Sequence, residues 1–286
     1  MESALLPEPA VPEYSISNHP KLQRIPSYEV IRAALNGQSP RQRGRDKRVV
    51  AAGWTFLFHA TTSGIVKQLL KLNKGGYAAR LIEQGVLKRV SAPCLRSGKI
   101  YMLTPDGISI AEKVYPDFLG TYNTDPSSIH YSRLKHDLAA QLAVLGLMSR
   151  FDVSAVIPER LLGAQDVPGG KRPDVVLLLD DEEDYGSIWL EMELNAKKIG
   201  RERDMALIAV VNAAKADESR LIVYVTDSPA IEEAYRSALS EAIPVWKRGK
   251  RSARWELTGE TVTASEEVLE RIEFVCRPNL LDPLNA

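Results

Sequence analysis

Hydrophobic spacing divides the chain into stretches of different character. Residues 1 to about 27 hold five of the 17 prolines and no sustained periodicity, which reads as a mobile arm. "SYEVIRAALNG" (27–37) has the spacing of a short helix stopped at Gly37. From about 49 to 118 the pattern tightens. "TTSGIVKQLLKL" predicts a helix capped by Thr61 or Thr62, and "KGGYAARLIEQGVLKRV" a second helix stopped at Gly85 and running into a strand. "SGKIYMLTPDGISIAEKVY" predicts a strand, a turn at Pro105-Asp106-Gly107 and a closing helix. "GTYNTDPSS" (120–128) carries linker residues. Beyond it, Leu134, Leu138, Leu142 and Leu145 form one helical stripe. "FDVSAVIPE", "RPDVVLLLD" and "SIWLEMEL" read as strands, "RERDMALIAVVNAAK" as a helix and "SRLIVYVTDS" as an apolar strand. "PAIEEAYRSALSE" is a further helix, with short strands around "IPVW" and "ARWEL". The order after 128 is α-β-β-β-α-β-α-β, so the pattern predicts an α/β (α+β) protein.

One predicted strand carries an anomaly. In "IWLEMELNAKK" (188–198), Ile188, Leu190, Met192 and Leu194 share one face, and Trp189, Glu191 and Glu193 the other. Buried carboxylates are costly unless paired, hydrogen-bonded or bound to metal. The acidic connection "DDEEDYG" is short, so the two strands it joins should form an antiparallel hairpin. If Asp174 lies opposite 191 or 193, three carboxylates share one face, and Val175, Leu177, Leu190 and Met192 go to one core. A one-residue slip would send Asp174 to the other face. The first register gathers the carboxylates, and a hard divalent cation, Mg²⁺ or Mn²⁺, would relieve their repulsion. Other uses of the same residues stay open. Asp174 would simply bind backbone amides, Glu191 and Glu193 would pair with Arg201 or Arg203, and His136 would serve as a core or capping residue.

A length of 286 residues suggests two domains, and 44% hydrophobic with 26% charged residues is an ordinary soluble composition. Basic and acidic residues number 37 each, so only the distribution of charge is informative. Arg41, Arg43, Arg45, Lys47 and Arg48 crowd "SPRQRGRDKR", either as a solvated linker or as a phosphate-contacting arm. Lys247, Arg248, Lys250, Arg251 and Arg254 lie between Trp246 and Trp255 on an expected hairpin with Gly249 in its turn. There the charges suit phosphate, while the tryptophans suit the core better than base stacking. The opening "MESALLPEPAVPEYS" lacks the marks of a signal peptide and no run approaches a membrane span, so a cytoplasmic location is expected. Cys94 and Cys276 form neither a metal motif nor a disulfide framework.

The phrase "LIEQGVLKRV…KIYMLTPDG" resembles the junction of recognition helix and wing in winged helix-turn-helix domains. That resemblance implies a second helix in the DNA major groove, presenting Lys74, Tyr77, Arg80 and Gln84. It also implies a wing offering Lys88, Arg89, Arg96 and Lys99 to phosphates, beside Arg45 of the arm. The other use of such a domain is protein contact alone. Pro173-Asp174 followed by Glu191-x-Glu193, on this strand order, resembles the PD-(D/E)xK restriction-endonuclease-like superfamily. The resemblance implies Asp174 and Glu191 as metal ligands and a water-activating lysine two positions on, where this chain has Glu193. Either Lys197 or Lys198 replaces that lysine, or Glu193 is itself a ligand, or the nuclease is degenerate; Glu159 would be an additional acidic residue.

More narrowly, residues 45 to 215 resemble the replication-relaxation family of mobilisation relaxases, through the winged helix, "LKHDLAAQL" with His136, Glu159, "RPD" and "WLEMEL". The other type of relaxase, which uses an active-site tyrosine and closely spaced metal-binding histidines, is disfavoured because His19, His59, His130 and His136 form no His-x-His. The organisation expected is a mobile basic arm (1–46), a winged helix-turn-helix (47–119) and a nuclease-like domain (127–286). The function implied is a site-specific protein of a mobile element that nicks or relaxes double-stranded origin DNA, alongside transfer or replication proteins. The alternative is a non-catalytic DNA-binding regulator with a degenerate nuclease domain.

Overall fold

The computed structural model describes residues 39–118, 120–162, 172–180, 185–195, 197, 200–248 and 254–285. The arm before 39, with the expected helix at 27–37, lies outside them, as do Lys198, Gly249, Lys250 and Arg251. The protein is a mixed α and β structure with a helical N-terminal half and a sheet-based C-terminal half.

The basic cluster is not a linker where it is described. Residues 40–46, expected in the arm, open helix α1 (Pro40–Phe58). Ser39 caps it by accepting from the Gln42 N–H at 3.1 Å, and Pro40 supplies a preset φ at the first helical position. From Val50 onward nearly every residue of the helix is buried. α2 (Ser63–Leu69) is capped by Thr62, and α3 (Tyr77–Glu83) follows a left-handed Gly76. β1 (Leu87–Ser91) and β2 (Lys99–Leu103) pair antiparallel, and Thr61 bridges to Tyr101 on the other side of β2. The expected turn at Pro105-Asp106-Gly107 is instead the first turn of α4 (Pro105–Ala111), because the Thr104 hydroxyl accepts from the Gly107 N–H and caps it. Gly107 lies so close to the Val86 carbonyl that a Cβ would collide with it.

α5 (Leu134–Leu147) begins the second half. β3 (Val153–Pro158), β4 (Val175–Leu179) and β5 (Ser187–Glu193) form an antiparallel run, as the short acidic connection implied. α6 (Arg201–Ala216), β6 (Arg220–Thr226) and α7 (Pro229–Ser240) follow. β7 (Ile243–Arg248) and β8 (Trp255–Val262) pair only with each other. After α8 (Glu266–Glu270), β9 (Ile272–Cys276), which the alternation did not predict, returns parallel to β6. The main sheet is ordered β3-β4-β5-β6-β9, with β5 and β6 buried along their whole length. α9 (Asp282–Asn285) folds back onto α2, where the carbonyl of Pro283 fills the space beside Gly64.

The two halves are not beads on a string. Tyr122, in the expected linker, is buried; its hydroxyl donates to the His59 carbonyl at 2.6 Å and accepts from the Leu103 N–H at 2.9 Å. Lys88 Nζ donates to the Thr124 carbonyl at 2.5 Å. Between the halves, fully buried Gln141 of α5 accepts from Trp54 Nε1 at 2.8 Å and donates to the Ala60 carbonyl at 2.9 Å. A single buried hydrophobic cluster runs through both sides of this joint.

Replacing Gln141 with leucine keeps the volume but leaves a buried indole N–H and a buried carbonyl without partners. At about 1–3 kcal/mol per orphaned group, Gln141→Leu should cost roughly 2–4 kcal/mol. Urea unfolding monitored by tryptophan fluorescence measures it; an unchanged midpoint would show that the joint contributes nothing.

Candidate functional site

The β4–β5 ladder runs from Val175↔Leu190 to Leu178↔Ser187, the register that carries Asp174 toward Glu191. At Asp174 the regular pattern changes. Its N–H donates to the Leu190 carbonyl at 3.0 Å, while its Oδ2 accepts from the Met192 N–H at 2.8 Å. The carboxylate thus stands where a backbone acceptor would otherwise be. On the other side, the Asp174 carbonyl accepts from the Glu159 N–H at 2.9 Å, so this one residue links the ends of three strands.

Asp174, Glu191 and Glu193 line one cleft of about 380 Å³ together with Arg133, His136, Glu159, Arg172 and Lys197. Seven of the eight come from the start of α5, the ends of β3, β4 and β5 and the segment after β5; Arg172 immediately precedes Pro173 and β4. Glu191 is only 3% exposed and lies beside Tyr224 of β6. Burial, reinforced by the Glu191 charge, holds the Tyr224 phenol far above its ordinary pKa, so it stays neutral.

The cluster carries its own counter-charges. Glu193 accepts from the Tyr235 hydroxyl at 2.9 Å through Oε2 and pairs with Lys197 through Oε1. Arg133 donates to Glu159 at 2.6 Å and approaches Asp174 Oδ1 at 3.9 Å. His136 Nε2 faces the Met192 carbonyl at 3.1 Å and Asp174 Oδ2 at 3.4 Å, and its Nδ1 faces Asp137 Oδ1 at 3.4 Å. A carbonyl and carboxylates only accept here, so both ring nitrogens carry protons and the ring is an imidazolium. Burial opposes that charge, but the hydrogen bonds and charges of Asp137 and Asp174 outweigh it and push the pKa up to about 10. The positive charges of Arg133, His136 and Lys197 thus relieve the repulsion that had suggested a cation.

The donor set still suits a hard divalent ion. Mg²⁺ typically takes one or two carboxylates and keeps its remaining waters, and Asp174 and Glu191 are two such groups on neighbouring strands. Among the described residues, no three His, Cys, Asp or Glu side chains converge as a metal cage. Arg201 turns to Glu202 and to the ring of Trp255, and Arg203 to Asp204, so neither serves as the glutamates' counter-ion.

In the N-terminal half, Arg45, Lys74, Arg80, Arg89 and Arg96 are exposed, and Lys99 is half-buried. Tyr77 is also half-buried, its hydroxyl donating to the Gly44 carbonyl at 3.4 Å; this places the start of α3 beside the basic end of α1. Lys88 is drawn away to Thr124. On the β7–β8 pair, Lys247 and Arg248 are exposed. Trp246 donates to Asp204 at 3.0 Å, whereas Trp255 stays 37% exposed beneath Arg201. Sequence reasoning passed over Arg133 and Arg172. Arg133 was legible as the residue three before His136, which is the spacing of one helical face.

The pH dependence of His136 has a definite sign. Its folded-state pKa is raised, so its contribution is complete below the unfolded value of 6.5 and is lost as pH rises through about 10. His136→Gln should be destabilised by about 1–3 kcal/mol at pH 6, with the gap to wild type closing toward pH 10. Denaturant unfolding across that range measures it; a constant gap would mean the imidazole is neutral.

Comparison of the chain with protein-family models, with curated proteins and with solved structures returns no match.

Proposed function

We propose that the chain is a DNA-processing protein of the relaxase type, with a winged helix-turn-helix N-terminal half and a nuclease-like C-terminal half. The observation that carries this reading is the meeting of Asp174, Glu191 and Lys197 in one cleft at the end of an α-β-β-β-α-β arrangement. A divalent cation held by Asp174 and Glu191 would polarise a phosphoryl oxygen and acidify a water. The chain's own groups do the rest. Arg133 at the rim orients a phosphodiester, and Lys197, steadied by Glu193, stabilises charge developing on its oxygens. His136 holds Asp174 in position. The basic end of α1, with Arg80 and Arg89, supplies sequence-independent attraction to duplex phosphates.

A second reading is favoured by the compensated charges of the cluster. With Arg133, His136 and Lys197 already opposite the carboxylates, the fold needs no metal, which suits a non-catalytic regulator bound to DNA. The two readings separate on a supercoiled plasmid carrying the DNA that flanks the coding sequence, incubated with Mg²⁺ or Mn²⁺. Wild type should yield relaxed circles, with at least a hundredfold less from Asp174→Ala and none in EDTA. No relaxed product from either protein favours the regulator.

A further inference from the structure

The carboxylate cleft opens into a second cavity of about 290 Å³ between the two halves of the chain. The two share Arg133, His136, Glu159, Arg172 and Asp174; the second adds His59, His130, Asp137 and Arg160. Arg160 is the unusual member. It sits in the turn after β3, its guanidinium 5.8 Å from the centre of the Phe56 ring. Among the described residues it has neither a hydrogen bond nor a carboxylate within ion-pair distance. Burial lowers its pKa to about 10, partly offset by nearby Tyr122.

Arg160 is half-buried, and a guanidinium held there without an opposing carboxylate is placed to meet an anion that something else supplies. The other groups of this cavity do not supply it. Glu159 is held by Arg133, while Asp137 and Asp174 are held by His136. The lining therefore sets three guanidinium groups (Arg133, Arg160 and Arg172) beside three carboxylates that already have partners. The cavity wall also includes His59, a non-glycine residue at φ 69°, held there by the Tyr122 hydroxyl on its carbonyl. Backbone strain of this kind costs on the order of 1–3 kcal/mol and persists only where surrounding structure fixes it. Arg160 and Arg172 both line this cavity, and Arg172 also lines the adjoining cleft that holds Glu191 and Glu193.

We propose that this cavity is a phosphate-binding subsite, with Arg160 and Arg172 holding one phosphate of a nucleic-acid strand whose neighbouring phosphodiester reaches the Asp174–Glu191 cleft. The assignment rests on the DNA-processing reading above and gives it a strand path. Arg160 presents a planar fork to the phosphate, and Arg172 meets the strand from the exposed edge.

The test is fluorescence anisotropy of a labelled 20-nucleotide single strand and its duplex, in EDTA at low salt, with the full chain. The Arg160→Met variant should bind the single strand at least tenfold more weakly. Its slope of log affinity against log salt should fall by about one, as for the loss of one phosphate contact. Arg172→Gln, a change at an exposed position, should weaken binding without altering Tm, and it decides the matter if Arg160→Met does not fold. Wild-type strand binding by the folded variants overturns the subsite. So does saturation of the cavity by inorganic phosphate or a nucleoside monophosphate under conditions where the strand does not bind. EDTA keeps this result separate from cleavage. Weakened binding in the variants with no plasmid relaxation by wild type leaves the subsite standing without the nuclease. Relaxation by wild type with unweakened binding in the variants leaves the reverse.

Discussion

The C-terminal half depends on a carboxylate doing the work of a peptide carbonyl. Asp174 Oδ2 accepts the Met192 N–H, its backbone joins β3 to β5 through Glu159 and Leu190, and His136 reaches it from α5. A side chain in a backbone role must stay ionised to accept well, which explains why it faces an imidazolium and lies within 3.9 Å of a guanidinium. Removing the charge would loosen strand ends and helix together. Stability and any chemistry of the cleft therefore draw on the same atom.

The second constraint is the joint at Gln141. A buried amide from α5 that binds both an indole and a carbonyl of the N-terminal half, at two separate points, fixes the relative rotation of the halves as well as their proximity. Hydrophobic contact alone would tolerate sliding. Because the Arg160 cavity is walled by both halves, with Phe58 and His59 on one side and Arg133 and Pro158 on the other, its shape depends on that joint.

Much of the fold was legible in the sequence. Alternation located β4, β5 and β6, and caps at Thr62 and Gly85 marked the small helices correctly. The antiparallel pairing followed from the short connection, and the register from gathering the carboxylates while leaving Val175, Leu177, Leu190 and Met192 to one core. What escaped were features that depend on distant partners. The first turns of α1 look like a charged linker until Val50, Trp54 and Phe58 are seen to anchor the helix downstream. β9 has weak alternation, and its place beside β6 becomes evident only once the sheet is assembled. The carboxylates were legible, and so were His136 and Lys197 as candidates; which cation meets which carboxylate was not, because Arg133 with Glu159 and His136 with Asp174 come from segments far apart in the chain.

The unbroken length of α1 has one more consequence. At about 1.5 Å per residue its 19 residues span close to 28 Å, from an arginine-rich end to Phe58 at the cavity wall. A duplex resting on the basic end would therefore be offset from the cavity by a fixed distance, about eight base pairs at 3.4 Å each. For such a duplex the helix would act as a ruler: its length, and no side chain of the cleft, would set the offset.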